Sequence, residues 1–443
     1  MTQVHNDHNV YVLGAGFSAE AGLPLTKDFM NRMRDARSWL PQKDRMREIK
    51  AIEHVLRFRL QAAAASYRVP LNVDNVEELF GLASATGDEK LTRDMTIAIA
   101  ATIDYARAIA KPLRDDYAFD IAVRSSLNRQ PPPNWKLLLP NAYNLTNVQS
   151  VHACPRYEFY LGLIGGYFNS GSSNRSDRRD TIITFNYDTV IEEALEGLGL
   201  HFVYGNRKNI RQSNLDKPQK SQYANGHLRI LKIHGSVNWV DSATYNSGLV
   251  GHKNSSHPVG KNLEMQILAL RSYDDVRNRG HAPLLVAPTW QKIFSGHLTT
   301  VWKQAVEALK TATRLIIIGY SLPSTDQHFK YLLAAGLKEN ISLRKVFFVN
   351  PDLGNAMMRK KISKRLFDIF RREHFERGVV EFVDEDTKQF FGAQNLENQG
   401  SLYKNHPGRI RIGRPFNNLP EILPGNADWF FFDHFDKDRI SYK

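Results

Sequence analysis

The sequence predicts an α/β protein: a Rossmann-like, mostly parallel sheet with helices on both faces and a large inserted helical domain. Three observations carry that expectation. Short apolar runs rich in β-branched and aromatic residues recur along the chain, each ending abruptly in small or polar residues. Most of these runs precede a segment of helical periodicity, the alternation that a parallel sheet requires. The first and second runs are separated by a long helical region, far more chain than a simple crossover uses.

The first run, Asn9–Leu13, ends in Gly14-Ala15-Gly16-Phe17-Ser18. Helical periodicity then covers Lys27–Leu40, Asp44–Tyr67, Asn75–Ser84, Asp88–Ala110 and Tyr157–Phe168, punctuated by Pro41, Pro70, Pro112 and Pro131-Pro132-Pro133. Asp74 with Glu77 reads as a capping box ahead of Leu79 and Phe80. Residues 27–170 are thus expected to form a helical insert within a domain made of 1–26 and 171–352. The second run, Thr181–Ile183, ends in Thr184-Phe185-Asn186-Tyr187-Asp188, and a helix with Val190, Ala194, Leu195 and Leu198 on one face follows it. Leu228–Ile233 runs into His234-Gly235-Ser236, and Leu284–Val286 into Ala287-Pro288-Thr289. Leu315–Ile318 runs into Gly319-Tyr320-Ser321-Leu322-Pro323, and Val346–Val349 into Asn350-Pro351-Asp352. Gly205–His227 and Asp241–Lys261 have the composition of surface loops.

The remainder, 353–443, reads as a C-terminal extension. It holds a basic amphipathic helix, Asn355–Arg372, and a tail with Trp429-Phe430-Phe431-Phe432. That tail suits either a partner or oligomer contact or a strap onto the chain's own core.

Composition narrows the class. Of 443 residues, 42% are hydrophobic and 24% charged, which excludes a disordered or fibrous chain. No apolar stretch nears the roughly 20 residues of a membrane span, and the N-terminus lacks a secretory pattern. A cytoplasmic protein without membrane contact is expected. Cys154 is the one cysteine, which excludes an intramolecular disulfide and a zinc site of several cysteines. Lys and Arg number 59 against 46 Asp and Glu, a net charge of +13 that favours acidic partners, nucleic acid among them. The basic helix lacks interleaved aromatics for base stacking, so a solvated face accounts for its charges as well.

Ligands of parallel sheets bind outside the carboxyl ends of the strands, so one composite site is predicted from these strand termini. At Gly14–Ser18 a strand enters a glycine turn and leaves as a helix, where backbone can approach a pyrophosphate; a tight turn without ligand uses glycine too. Asn186 and Asp188 could orient a water and a polar ligand group, or cap the next helix. His234 follows a buried strand and could act as a general base near neutral pH, or be structural. His5, His8, His252 and His257 lie in polar segments and read as solvated.

Taken in order, Gly-Ala-Gly-Phe-Ser with Gly-Leu-Pro, Thr-Phe-Asn-Tyr-Asp, His-Gly, Gly-Tyr-Ser and Val-Asn resemble the motifs of sirtuins, over 10–24 and 180–352. The resemblance implies an NAD site. Gly14, Ala15, Gly16, Phe17 and Ser18 would hold the phosphates, and Gly319, Ser321 and Asn350 the adenosine half. Asn186 would place the nicotinamide ribose and a water, Asp188 would contact nicotinamide, and His234 would act as the general base. Three departures accompany it. Leu25-Thr26-Lys27 stands where deacylating sirtuins carry Asp-Phe-Arg, Phe185 stands where they carry Gln, and 241–280 has no cysteine where they carry a zinc module.

That combination looks like the zinc-free sirtuin-like NADases of bacterial anti-phage defence. The implied activity is hydrolysis of NAD to nicotinamide and ADP-ribose, with NAD as substrate and no metal, depleting NAD once a trigger is sensed. The implied partners are further copies of the chain or a second defence protein such as a sensor or an ATPase. An NAD-dependent deacylase or ADP-ribosyltransferase, and a sensor that binds NAD or ADP-ribose without turnover, are the alternatives. Having both Asn186 and His234 argues against the sensor, because pure binding needs neither pairing.

Overall fold

A computed structural model describes residues 8–43, 45–110, 155–165, 180–197, 200, 202–205, 210–212, 228–241, 267–287, 298–320, 327–367, 369–370 and 380–383. Strand β1 (Asn9–Leu13) leads through the single turn α1 (Ala15–Ser18) into α2 (Phe29–Trp39), α3 (Met46–Ala65), α4 (Val76–Ala85) and α5 (Glu89–Ile109). Helix α6 (Pro155–Ile164) precedes β2 (Thr181–Thr184), α7 (Val190–Gly197), β3 (Phe202–Tyr204), β4 (Ile210–Gln212) and β5 (Leu228–Lys232). Then come β6 (Gly235–Ser236), β7 (Trp239–Asp241), β8 (Ile267–Ala269), α8 (Tyr273–Asn278) and β9 (Leu284–Leu285). The described chain closes with α9 (Thr299–Lys310), β10 (Arg314–Ile318), α10 (Gln327–Leu337), β11 (Lys345–Val349), α11 (Ala356–Phe367) and β12 (Val380–Val383).

Seven strands form one sheet in the order β12-β11-β10-β1-β2-β5-β3, and every pairing in it is parallel. Its central strands β1, β2 and β10 are buried at every residue, which is why they appear as unbroken apolar runs rather than alternating ones. From β1 the sheet extends one way through β2, β5 and β3, with the chain reaching edge strand β3 before it returns to β5, and then the other way through β10, β11 and β12. Right-handed crossovers running in opposite directions put their helices on opposite faces. The reversal falls between β1 and β10, so the crevice for a ligand opens at the carboxyl ends of those two strands.

Helices α2 to α6 all lie between β1 and β2 in the chain, as the long interruption predicted. The capping box does not form where the sequence placed it. Asp74 accepts from Arg59 Nε at 2.9 Å, and Asn75 caps α4 instead, its side-chain oxygen accepting from the amides of Glu77 and Glu78 at 2.9 and 3.4 Å. One residue later in the chain, Asn75 has the extended backbone that an N-cap needs.

Leu284–Val286 is not a strand of the main sheet. Leu284 and Leu285 pair antiparallel with Gly235 and Ser236, immediately after His234. Gly235 takes a positive φ of 86°, which turns the chain out of β5 and presents its backbone to β9. The polar segment Gly205–His227, expected as loop, contains β4, which joins β8 and β7 in a small second sheet.

The main sheet also continues past 352: β12 adds a parallel edge strand, and α11 buries Ile362 and Leu366. The same helix leaves Arg359, Lys360, Lys361 and Lys364 exposed. Arg371, Arg372, Cys154 and the aromatic tail at 429–432 lie outside the described residues, as do His5, His252 and His257. His8, expected to be solvated, is buried. Its Nδ1 lies 3.0 Å from Thr311 Oγ1 and its Nε2 3.1 Å from Thr181 Oγ1, so the ring ties the start of β1 to both flanks. No helix among the described residues is long and apolar enough to cross a membrane.

Candidate functional site

The turns after β1 and β10 interlock. Gly14 N donates to Ile318 O at 3.0 Å, and Gly16 N to Gly319 O at 2.8 Å. A Cβ on Gly14 would lie 2.7 Å from Gly319 O, and one on Gly16 2.8 Å from Gly319 Cα. These glycines are therefore required by backbone meeting backbone, whether or not a ligand is present. Gly14 and Ser18 are buried, while Ala15 and Gly16 are partly open. The amides of Gly14, Gly16 and Phe17 already donate within the protein, so what this turn offers a ligand is first its close approach and bare surface.

Asn186 bridges that turn to the end of β2. Its Nδ2 donates to Gly14 O and to Ser18 Oγ, both at 2.9 Å. A carbonyl can only accept, which fixes the amide orientation: nitrogen toward Gly14, and the carbonyl Oδ1 as the acceptor left for another molecule. Thr184 Oγ1 shapes the turn beneath, donating to Leu13 O at 3.0 Å and accepting from Asn186 N at 3.1 Å.

His234 sits on the next strand end and is buried. Phe185 meets its ring edge-on with centroids 5.2 Å apart, and Phe185 also stacks on Tyr320 at 5.1 Å. Phe329, at the start of α10, packs against both Phe185 and Tyr320 at 5.7 and 4.9 Å. The histidine main chain is tied down as well, its carbonyl accepting from Val286 N at 2.9 Å. β9 thus serves the site by locking the His-Gly turn.

Asp188 takes the capping role that the sequence offered it. Its Oδ1 accepts from Val190 N at 3.0 Å, capping α7, and it stands two residues beyond Asn186 on the same turn. Its main-chain carbonyl accepts from Lys232 Nζ. Lys232 is fully buried, two residues before His234, and also donates to Glu192 Oε1 at 2.9 Å. Tyr204 donates to the same Glu192 oxygen at 2.9 Å. Burial and the Glu192 carboxylate hold the Tyr204 hydroxyl well above its ordinary pKa, so it remains a donor.

Gly319 abuts the glycine turn, as described. Asn350 stands farther along the sheet, at the end of β11, and is buried. Its Oδ1 accepts from Asp352 N at 2.9 Å and its Nδ2 donates to Tyr320 O at 3.4 Å, so here it caps a short turn and braces the Gly319-Tyr320 segment. Ser321 lies outside the described residues. Phe17 faces inward, with its ring against Tyr157 and Tyr160 of α6 at 5.2 and 6.3 Å. Its carbonyl accepts from the Tyr157 hydroxyl, and Tyr160 donates to Glu20 Oε2 at 3.0 Å.

Sequence reasoning missed Lys232, Glu192, Phe329, Tyr157 and Arg107. A lysine inside the apolar run Leu228–Ile233 was the available signal, since a buried lysine needs a partner. No group of three or more metal-ligating side chains is found among the described residues.

Residues 180–370 match the family model described as a SIR2-like domain. A solved structure of Sir2Tm bound to a propionylated peptide aligns at 11% identity, covering 89% of this chain and 93% of that one, with a TM-score of 0.27. A second, titled for the mechanism and regulation of Sir2 enzymes, aligns at 12% identity over 82% of this chain and 93% of its own, again with a TM-score of 0.27. Likeness that low adds nothing to the sheet topology. No curated protein matches the chain. The segment similar to a SIR2-like domain, residues 180–370, contains Asn186, Asp188, His234, Gly319 and Asn350.

Proposed function

We propose that the protein is an NAD hydrolase, which cleaves the N-glycosidic bond of NAD with water to give nicotinamide, ADP-ribose and a proton. The observation that carries this reading is the Asn186 amide, clamped by both hydrogens to Gly14 O and Ser18 Oγ beside the β1–β10 crevice. A carboxamide so held presents its carbonyl at a defined place, suited to accept from a water or a ribose hydroxyl. His234, on the adjacent strand, is the base for the proton released by the water. Asp188 supplies negative charge on the same turn as positive charge develops on the ribose. The Gly14–Ser18 turn and the Gly319 segment flank the crevice where the phosphates and adenosine of the substrate would lie, with Asn350 bracing that segment.

Phe185 also departs from the deacylase pattern: on the resemblance it stands where deacylating sirtuins carry glutamine, and it is packed against Tyr320, Phe329 and His234 with no amide to offer the site. On the resemblance described above, the cleavage serves bacterial anti-phage defence, with further copies or a second defence protein controlling it.

The test is NAD turnover by the purified protein, with nicotinamide and ADP-ribose quantified by chromatography. Asn186→Ala is expected to lower turnover about 100-fold or more while circular dichroism stays unchanged. A folded Asn186→Ala that turns over normally refutes the assignment. The defence reading predicts a fall in cellular NAD after phage infection that this variant abolishes; unchanged NAD with the active protein would overturn it.

A further inference from the structure

We infer that Arg107, on the last turn of α5, is a positioning residue through which the inserted helices hold the Asn186–Asp188 turn in its working geometry; this rests on the hydrolase reading above. Helix α7 starts directly after that turn, and its first turn carries two adjacent acids, Glu192 and Glu193. Neighbouring residues on a helix point about 100° apart, so the two carboxylates face different surroundings. Glu192 is held from within the sheet by Lys232, and Glu193 from the insert by Arg107.

The Arg107 contact is two-pronged. Its Nη1 and Nη2 each donate to a Glu193 carboxylate oxygen, and Nη1 also donates to Thr189 Oγ1 at 3.2 Å. Thr189 in turn donates to Glu193 Oε1 at 2.6 Å. Thr189 is the residue next to Asp188, so the guanidinium grips the chain one peptide from the site. Burial opposes the Arg107 charge, but Glu193, with Asp188 and Asp104 behind it, outweighs that cost and holds its pKa above the ordinary value. The charge is permanent at working pH.

The insert touches the other half of the site too. On α6, Tyr157 holds Phe17 O and Tyr160 holds Glu20, both bordering the glycine turn. Asn186 spans the two halves, donating from the β2 turn to Gly14 O and Ser18 Oγ. Any shift of α5 relative to the sheet therefore displaces one end of that bridge against the other. The two clamps also differ in burial: Lys232 and Glu192 side chains are 1% and 4% exposed, Arg107 and Glu193 11% and 25%. The inner clamp belongs to the core, whereas the outer one ties the insert to the first turn of α7.

The experiment compares Arg107→Met, Arg107→Lys and Glu193→Gln with the parent chain, and uses Arg37→Ala as control. Arg37 pairs with Glu53 on the insert surface, and the two side chains are 51% and 40% exposed. A misplacement of about 1 Å can cost on the order of 100-fold in rate. Arg107→Met and Glu193→Gln are thus expected to lower kcat about 10- to 100-fold with KM within about 3-fold of the parent. Arg107→Lys should recover part of the loss, and Arg37→Ala should change neither constant. A folded Arg107→Met with the parent's kcat overturns the inference, and so does a loss confined to KM. If Arg107→Met fails to fold, Arg107→Lys and Glu193→Gln decide on the same split.

Amide hydrogen exchange of residues 185–190 gives a readout that does not depend on turnover. Faster exchange there in Arg107→Met, and not in Arg37→Ala, supports the clamp; unchanged exchange overturns it. A parent chain that cleaves no NAD, yet shows this exchange difference, would defeat the hydrolase reading and leave the clamp standing.

Discussion

Replacing Gly319 with alanine tests whether the two turns of the crevice are held by backbone contact. Gly319 has φ of +64°, where an L side chain is strained by about 1–2 kcal/mol. Its added Cβ would lie 2.2 Å from Phe17 N, 2.5 Å from Gly16 C and 2.9 Å from Gly16 Cα. These are main-chain atoms, so no flexible side chain can swing away, and the crowding adds about 1–3 kcal/mol. The expected loss is roughly 2–5 kcal/mol, a large part of the about 5–15 kcal/mol that holds a typical domain. Gly87 supplies the control: its φ is +74°, but a Cβ there meets nothing within 4 Å. Gly87→Ala should therefore show the strain alone. Urea unfolding of both variants, with slopes compared to confirm a like transition, isolates the crowding as their difference. The surviving folded fraction of Gly319→Ala should also lose NAD turnover, because Asn186 takes its hold from the displaced turn. Equal losses in the two variants would refute the interlock.

Two further outcomes follow from the charges around this framework. Lys232→Met should cost about 3–5 kcal/mol, because it strands a buried carboxylate whose Oε2 has no hydrogen-bond partner among the described residues; Lys232→Met with Glu192→Leu should be milder in urea unfolding. A double variant no more stable than the single would contradict the stranded-charge argument. In the insert, Asp94 accepts from His54 Nδ1 at 2.7 Å and from Lys90 Nζ at 2.9 Å. Burial would raise its pKa, but those two donors more than offset it and hold it below the usual value. A depressed carboxylate stabilises the fold fully above its unfolded value near about 4 and loses that contribution as pH falls through the lower folded value. The stability gap between the parent and Asp94→Asn should accordingly be present at pH 7 and shrink below about pH 4; a gap unchanged across that range in urea titrations would refute it.

Much of this protein was legible locally. The runs at Asn9, Thr181, Leu228, Leu315 and Val346 became strands of the parallel sheet, because central strands buried on both faces must be apolar at every position. The helices of the insert followed from their periodicity, with Asp88 capping α5 through Leu91 N at 2.9 Å. The polar ends of those strands marked the candidate site, since a parallel sheet brings all its carboxyl ends to one edge. Edge strands β3 and β12 were not legible: they are short and gain their order from the neighbours they pair with.

What tertiary structure alone decided is who meets whom across long stretches of chain. Leu284-Leu285 resembled another core strand, yet the positive-φ turn at Gly235 draws it into a separate pair that locks His234. Gly14 and Gly16 suited a phosphate turn in the sequence; their placement against Gly319 shows that backbone packing demands them in any case. Lys232 announced that it needed an acid, but its partner Glu192 lies forty residues away in the chain, on a different element. Arg107 carried no local sign at all, because its meaning depends on where α5 ends relative to α7. Periodicity, capping and turn preferences act over a few residues and so are written in the sequence locally. Partnerships between strand ends depend on the direction of each crossover, which exists only once the sheet has assembled.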